Sequence, residues 1–522
     1  MSCVLAPQRT LRTLSSGSSR RLPRASLLSL SRPSATILPS TRHGSTIPPR
    51  SESFARPTED HLKYLRSVLS SPSSLLSTID GSATTDDLAG YNNDWMNKYH
   101  GKSPIVVKPK TTEEVSKVMK YCYDRGIAIV PQGGNTGLVG GSNPIHDELV
   151  LSLSNLNQTR SFDPVSGVLV VDAGVILETA DRHLADQGHI FPLDLGAKGS
   201  CQIGGVVATN AGLEVVLPDG TIWDGLSKLR KDNTGLDLKQ LFIGSEGTIG
   251  IITAVSILCP RRPSAMNVAV FSLPSYEAVR KVYGEAKARL GEILSAFEFM
   301  DRQSFELVQK HQKENGMERK VFEQDGAFYC LIETGGSNGE HDEAKMSGLL
   351  EHLMTNDMVL DGVLAQDQTQ FQSLWSLREM LPEACGKAGS VYKYDLSLPL
   401  EKLYGLVESM RDRLRKGGML EGDGRPEGPI RAVTGYGHMG DGNLHINIVA
   451  DRYTDKIESL IEPFIYQAVA DNNGSISAEH GLGLMKAPYI SYSKSATSID
   501  LMRKMKHVFD PKGLLNPYKY IL

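Results

Sequence analysis

A chain of 522 residues is too long for one hydrophobic core, so two or three domains are expected. The net charge of −4, with 22% charged and 40% hydrophobic residues, is ordinary for a globular protein, and the absence of basic runs interleaved with aromatics argues against a nucleic-acid partner. No apolar run is long enough to be a transmembrane segment, and the six cysteines (Cys3, Cys122, Cys201, Cys259, Cys330, Cys385) have no CxxC or disulfide-like spacing, which fits free thiols in a reducing compartment.

The first fifty residues hold eight arginines, no lysine, many serines and no acidic residue before Glu52. That is the composition of a mitochondrial transit peptide, expected over residues 1–45. The competing reading is a disordered basic arm. Without those arginines the body carries 48 basic against 60 acidic residues, a charge of about −12. A helical lead-in is expected over 46–100.

From Pro104 strands and helices alternate. Residues 105–107 read as a strand, and Thr111 with Glu114 as a capping box that opens a helix. Val115, Val118, Met119 and Cys122 line one face of that helix, and Gly126 ends it. The strand at 128–130 runs straight into PQGGNTGLVGGS, residues 131–142, with five glycines in nine residues. So many glycines free backbone N–H groups to curl around an anion such as a pyrophosphate. The alternative is a flexible surface loop, but the position directly after a strand favours dinucleotide cradling.

Further glycine-rich passages follow at 192–212 and 243–253, and none has the GxGxxG spacing of a nicotinamide domain. After Pro263 longer amphipathic helices take over: one from Ser275, one over 400–416, and one from Ile457 to Val469 that stops at Asn472. Strands are expected at 328–332 and 444–449. The acidic loop 421–426 resembles half a calcium loop but lacks the remaining ligands, so it reads as a solvated connection.

The densest chemistry lies in GHMGDGNLH, residues 437–445, and AEHG, residues 478–481. Two imidazoles, His438 and His445, with the Glu479 carboxylate make a divalent-metal set, and His480 beside that carboxylate is placed to move protons. The competing reading is that these rings only bond backbone carbonyls. Three histidines and a glutamate bracketed by glycines favour the metal.

Together PQGGNTGLVGG, LRKDNTG (229–235), KQLFIGSEGTIGIIT (239–253), VYKYDLSLP (391–399), GYGHMGDGNLH and AEHG resemble the flavin dehydrogenases of the vanillyl-alcohol-oxidase/PCMH type, and within them the branch that oxidises D-2-hydroxy acids. The resemblance runs from about residue 90 to the C-terminal LLNPYK. It implies an α+β fold with a two-subdomain PCMH-type FAD-binding domain over 101–263. An α+β, ferredoxin-like substrate or cap domain with the metal site follows over 264–490, and a C-terminal helical tail over 491–522 returns to the FAD domain. The resemblance implies an FAD wall made by Pro131, Gly133, Gly134, Asn135, Thr136, Gly137, Gly140, Gly141, Ser142, Pro192, Ser200, Gly204, Gly205, Thr209, Ala211, Glu246, Gly247, Ile251 and Asn516. Some relatives attach FAD through a histidine; Asn135 stands here, so FAD is expected to be non-covalent.

The same resemblance implies zinc on His438, His445 and Glu479, with manganese or cobalt as alternatives, and His480 as catalytic base. Arg378 and Lys393 become the substrate's carboxylate anchors and Asn447 a further substrate contact. The chemistry agrees: oxidising a 2-hydroxy acid means removing the hydroxyl proton and passing the C2 hydride to flavin N5. A fixed cation beyond the metal favours a second carboxylate, so D-2-hydroxyglutarate, oxidised to 2-oxoglutarate, is expected above D-lactate. The electron acceptor stays open between electron-transfer flavoprotein, a cytochrome and a 2-oxo acid, and the compartment expected is the mitochondrial matrix. Two departures from the family pattern stand out. Pro382 replaces a hydroxyl residue, and Gly212 joins Leu213 directly where relatives carry a Gly-rich stretch with an Arg-Tyr-Gly run. The second is either an error in joining the coding sequence or a variant with a disabled flavin site, a non-catalytic relative.

Overall fold

Three sheets carry the chain, and each is explained by its burial pattern. The structure, a computed structural model, describes residues 47–207, 212–317, 320–420 and 428–521. The expected transit segment, Thr209, Ala211 and the acidic loop 421–426 lie outside the described residues.

Strands β1 (Leu75–Ser77), β2 (Ile105–Val107), β3 (Ile129–Gln132) and β4 (Leu149–Ser152) form a four-stranded sheet in the order β1-β2-β4-β3. The pairs β2–β4 and β3–β4 are parallel. All of β2 and β4 is buried, as expected of parallel strands covered on both faces. The lead-in was expected to be helical, and it does form the helix Glu59–Val68, but it also supplies the edge strand β1. The helix Thr112–Arg125 crosses from β2; the Thr111 side chain accepts the Glu114 N–H and Gly126 closes the helix at φ 72°. The reciprocal half of the expected capping box is replaced. The Glu114 carboxylate instead accepts the N–H groups of Lys110 and Ser70 at 2.7 and 2.8 Å, which fastens the helix to the lead-in.

Strands β5 (Thr159–Asp163), β6 (Val168–Asp172), β7 (Gly212–Val216), β8 (Ile222–Gly225) and β9 (Ile251–Leu258) form an antiparallel sheet in the order β5-β6-β9-β7-β8. Leu169, Val171, Leu213, Val215, Val255 and Ile257 alternate onto its buried face. Strand β7 starts at Gly212 and pairs on both sides, with Leu213 opposite Val255 and Gly225.

The third sheet joins β10 (Ala265–Leu273), β11 (Leu294–Asp301), β12 (Phe328–Gly336), β13 (Asp361–Leu364), β14 (Ser390–Ser397), β15 (Ile430–His438) and β16 (Asn443–Ala450). It is seven-stranded, in the order β13-β10-β12-β11-β15-β16-β14, and every pairing is antiparallel. The helices Tyr276–Leu290, Gly339–Thr355 and Leu403–Lys416 bury apolar residues in the core on one face of this sheet. The apolar run at 457–469 was expected as one helix and forms two, Asp455–Ile461 and Phe464–Asp471. Pro463, at the N-cap of the second, has no N–H with which to continue the first. After the helix Ala496–Phe509 the tail returns to β3: Ile129 donates to the Leu514 carbonyl at 2.8 Å and Asn516 to the Ile129 carbonyl at 2.7 Å.

Candidate active site and cofactor loop

Register in the seven-stranded sheet assembles the candidate site. Glu298 on β11 faces His438 on β15. Tyr436 faces His445 on β16, and His445 faces Asp395 on β14; one step along, Thr434, Asn447 and Lys393 line up in the same way. Side chains alternate along strands, so these residues share one face. Phe297, Phe299, Tyr392, Tyr394, Leu444 and Ile446 take the other face, in the core.

His438 Nδ1 lies 2.7 Å from Glu298 Oε1, which assigns the proton to Nδ1 and makes Nε2 the acceptor nitrogen, with Arg378 Nη2 3.5 Å from it. That Nε2 is 3.4 Å from His445 Nε2 and 3.7 Å from Glu479 Oε1. The ligand atoms of His438, His445 and Glu479 all lie within 4.8 Å of one another. Two facing imidazole nitrogens with a carboxylate fit a divalent transition metal by donor type. Burial, reinforced by the Arg378 charge, holds His445 well below the usual histidine range, so it is neutral as a ligand must be.

Asp395 organises the turn that carries Glu479 and His480. It is fully buried, and its Oδ2 accepts the N–H groups of Ala478, Glu479 and His480 at 3.1, 2.8 and 3.0 Å. The same carboxylate lies 3.8 Å from His445 Nδ1 and from His480 Nδ1. Burial lowers the His480 pKa, opposed by Asp395, so the ring is a neutral proton acceptor. Lys486, also buried, is lowered to about 8 by burial and points Nζ at the Asp395 carbonyl, 3.4 Å away.

The structure brings the three expected substrate residues to this face. Arg378 donates from Nε to Glu298 at 2.8 Å and stacks over Tyr436, with Cζ 4.7 Å from the ring centroid. Asn447 donates to the Tyr436 hydroxyl at 2.9 Å. Lys393 is half-buried, its pKa is lowered by burial, and its Nζ lies 5.3 Å from the centre of the Trp95 ring. Sequence reasoning assigned no role to Glu298, Asp395, Tyr436 or Trp95. Glu298 had a signal: it is a charge inside the apolar run Phe297 to Met300.

The glycine-rich loop turns its carbonyls into the protein. Val139 O accepts from Leu484 and Met485, Gly141 O from Asn516 Nδ2 and Lys519 Nζ, and Ser142 O from Gln132 Nε2. Among the described residues, none of the N–H groups from Gly133 to Ser142 donates a hydrogen bond. Such a loop fits a pyrophosphate, because these donors remain available while the Val139, Gly141 and Ser142 carbonyls are already satisfied. Space is tight beside it. A Cβ on Gly134 would stand 2.1 Å from the Ser200 carbonyl oxygen, and one on Gly247 would stand 2.5 Å from Pro131 Cγ.

Elsewhere in the expected wall, Ser200 and Gly205 are exposed, Pro192 is half-buried and Ile251 opens β9. Gly204 packs on Ala173 and donates to its carbonyl. The Glu246 carboxylate accepts the N–H groups of Leu482 and Gly483 at 2.7 and 2.8 Å, linking the third glycine-rich passage to the segment after His480. Lys519, 3% exposed, was not foreseen. It also donates to the Asn143 carbonyl and to Asn516 Oδ1, and burial lowers its pKa to about 7.

These arrangements can be set against known proteins. The family model of a FAD binding domain matches residues 103–230, and that of the C-terminal domain of FAD linked oxidases matches 262–520. A Schizosaccharomyces pombe chain provisionally named a mitochondrial D-lactate dehydrogenase is 51% identical, over 90% of this chain and 92% of its own. The D-2-hydroxyglutarate–pyruvate transhydrogenase of Saccharomyces cerevisiae is 45% identical over 90% and 96%. The mitochondrial D-2-hydroxyglutarate dehydrogenase of Bos taurus is 45% identical over 97% and 90%. Among solved structures, p-cresol methylhydroxylase shares the fold at a TM-score of 0.68 and 14% identity, covering 89% of this chain and 96% of that one. The chain therefore belongs to the FAD-linked oxidoreductase family that includes the mitochondrial D-2-hydroxyglutarate dehydrogenases.

Proposed function

We propose that the chain oxidises D-2-hydroxyglutarate to 2-oxoglutarate, with non-covalent FAD and a divalent metal, zinc by donor type, held by His438, His445 and Glu479. The observation that carries this reading is the convergence of those ligand atoms at the sheet face that presents Lys393 and against which His480 and Arg378 are held by Asp395 and Glu298. FAD, when bound, would supply the acceptor for the C2 hydride, and a metal on His438, His445 and Glu479 would supply the Lewis acidity that makes the substrate hydroxyl easier to deprotonate. His480, neutral through burial and braced by Asp395 on its Nδ1 side, takes the hydroxyl proton at Nε2. Arg378, with Nε fixed by Glu298, offers its remaining N–H groups to a carboxylate. Lys393 offers its charge to the distal carboxylate, and Asn447 its side-chain amide to the substrate. The amides from Gly133 to Ser142 would receive the pyrophosphate, with Asn516 and Lys519 both holding the Gly141 carbonyl away.

The mitochondrial names of the relatives and the Arg-rich first fifty residues support a mitochondrial location, which we assign to the matrix. Electron-transfer flavoprotein or a cytochrome fits that compartment as acceptor. The pyruvate in the name of the S. cerevisiae relative supports a 2-oxo acid as the alternative. D-lactate is the second substrate reading, favoured by the name of the S. pombe relative. Lactate has no distal carboxylate, so kinetics of Lys393→Met separate the two. The variant should lose about 10- to 100-fold in kcat/KM on D-2-hydroxyglutarate, the worth of one charge-assisted contact, and lose its preference over D-lactate. An unchanged ratio between the two acids contradicts the assignment.

A further inference from the structure

Trp95 is 59% exposed although it stands beside the candidate site. It sits on a tight turn between Asn93 and His100, which pair as an isolated antiparallel bridge. The buried Asp94 carboxylate shapes the turn by accepting the N–H groups of Lys98 and Tyr99, both at 2.7 Å, and Asn97 adopts φ 56°. Over the indole face lies Lys393 Nζ, 5.3 Å from the ring centroid. No described carboxylate bears on that ammonium, so the aromatic face is the contact that orients it.

The turn is also tied to the cofactor loop. Asn135 donates from Nδ2 to the carbonyls of Gly90 and Asn93 at 3.2 and 2.8 Å, and Gln132 donates to the Tyr91 carbonyl at 2.9 Å. One hydrogen-bonded unit therefore runs from the glycine-rich loop to the tryptophan that faces the lysine. An indole has a negative face and a positive edge. Its face suits an ammonium, while its edge suits the carboxylate that the ammonium would bind.

We propose that Trp95 is a positioning and specificity-determining residue: it holds Lys393 in place and walls the subsite for the distal carboxylate of a dicarboxylic 2-hydroxy acid. The inference rests on the role given to Lys393 above. The test measures kcat and KM of the flavin-loaded enzyme on D-2-hydroxyglutarate and D-lactate for wild type, Trp95→Ala, Trp95→Phe, Lys393→Met and the Trp95→Ala/Lys393→Met pair. Trp95→Ala should lower the ratio of kcat/KM values, dicarboxylate over lactate, by about three- to thirtyfold through KM, the range of a partly desolvated cation–π contact. Trp95→Phe should restore most of the ratio, and Trp95→Ala should add nothing further in the Lys393→Met background. If Lys393→Met lowers the ratio and Trp95→Ala does not, the inference about Trp95 is overturned while the lysine's role stands. If Lys393→Met itself leaves the ratio unchanged, the distal-carboxylate reading falls and takes this inference with it. Should Trp95→Ala lose its flavin, Trp95→Leu, which keeps apolar bulk without the π face, gives the same comparison.

Discussion

Glu298→Gln is the sharpest probe of the candidate metal centre, because it changes one atom and leaves all three candidate ligands in place. Glu298 is 5% exposed and accepts from His438 Nδ1 at 2.7 Å and Arg378 Nε at 2.8 Å. Burial disfavours its charge, yet His438 and Arg378 hold its carboxyl below the usual range. A glutamine keeps one acceptor oxygen for two donors, so its NH2 must face either the histidine or the arginine. The loss is one charge-assisted hydrogen bond, about 1.5–3 kcal/mol, together with the only described carboxylate that pairs with buried Arg378. Partners of this kind are worth about 10- to 100-fold in metal affinity. Zinc affinity is read by competition with a chromophoric chelator at fixed pH on the flavin-loaded protein. We expect a 10- to 100-fold weaker site in Glu298→Gln, within that range. A variant that binds zinc within about twofold of wild type refutes the claim that Glu298 orients His438 as a ligand.

Gly134→Ala should cost at least about tenfold in flavin affinity, because the new Cβ meets backbone 2.1 Å away and the loop must move; equal flavin retention after dialysis contradicts this. Asp395→Ala removes the buried carboxylate that accepts three backbone N–H groups and should lower unfolding free energy by about 3–6 kcal/mol in urea, with Asp395→Asn recovering part; a loss under about 1 kcal/mol contradicts it. Lys519 has a folded pKa of about 7 against an unfolded value near 10.4, so between those values the unfolded chain holds more protons and stability rises with pH. Lys519→Met should remove that rise, and parallel stability curves for variant and wild type from about pH 7.5 to 9.5 count against it.

What was legible in the sequence was whatever local chemistry fixes. The Thr111 cap, the Gly126 stop and the buried stripe of Val115, Val118, Met119 and Cys122 follow from helix geometry alone. His438, His445 and Glu479 were legible because glycines bracket them, and the structure brings their ligand atoms together. What escaped depends on register between strands distant in sequence. Glu298 meets His438 across 140 residues, and Asp395 meets the N–H groups of residues 478–480 more than 80 residues on. Lys519 and Trp95 lie near opposite ends of the described chain and gain their partners only when the tail and the lead-in fold back. The single helix expected over 457–469 failed because Pro463 overrode an apolar period that ignores backbone donors.

We expect this chain to bind flavin and to reduce it with a D-2-hydroxy acid although Gly212 joins Leu213 directly. The most direct test is the visible absorption spectrum of the purified protein before and after anaerobic addition of D-2-hydroxyglutarate. The expected result is an oxidised flavin band that bleaches on addition. A band that stays oxidised contradicts the substrate assignment and turns the question to D-lactate; no flavin band at all contradicts the dehydrogenase account and leaves the non-catalytic reading of this chain.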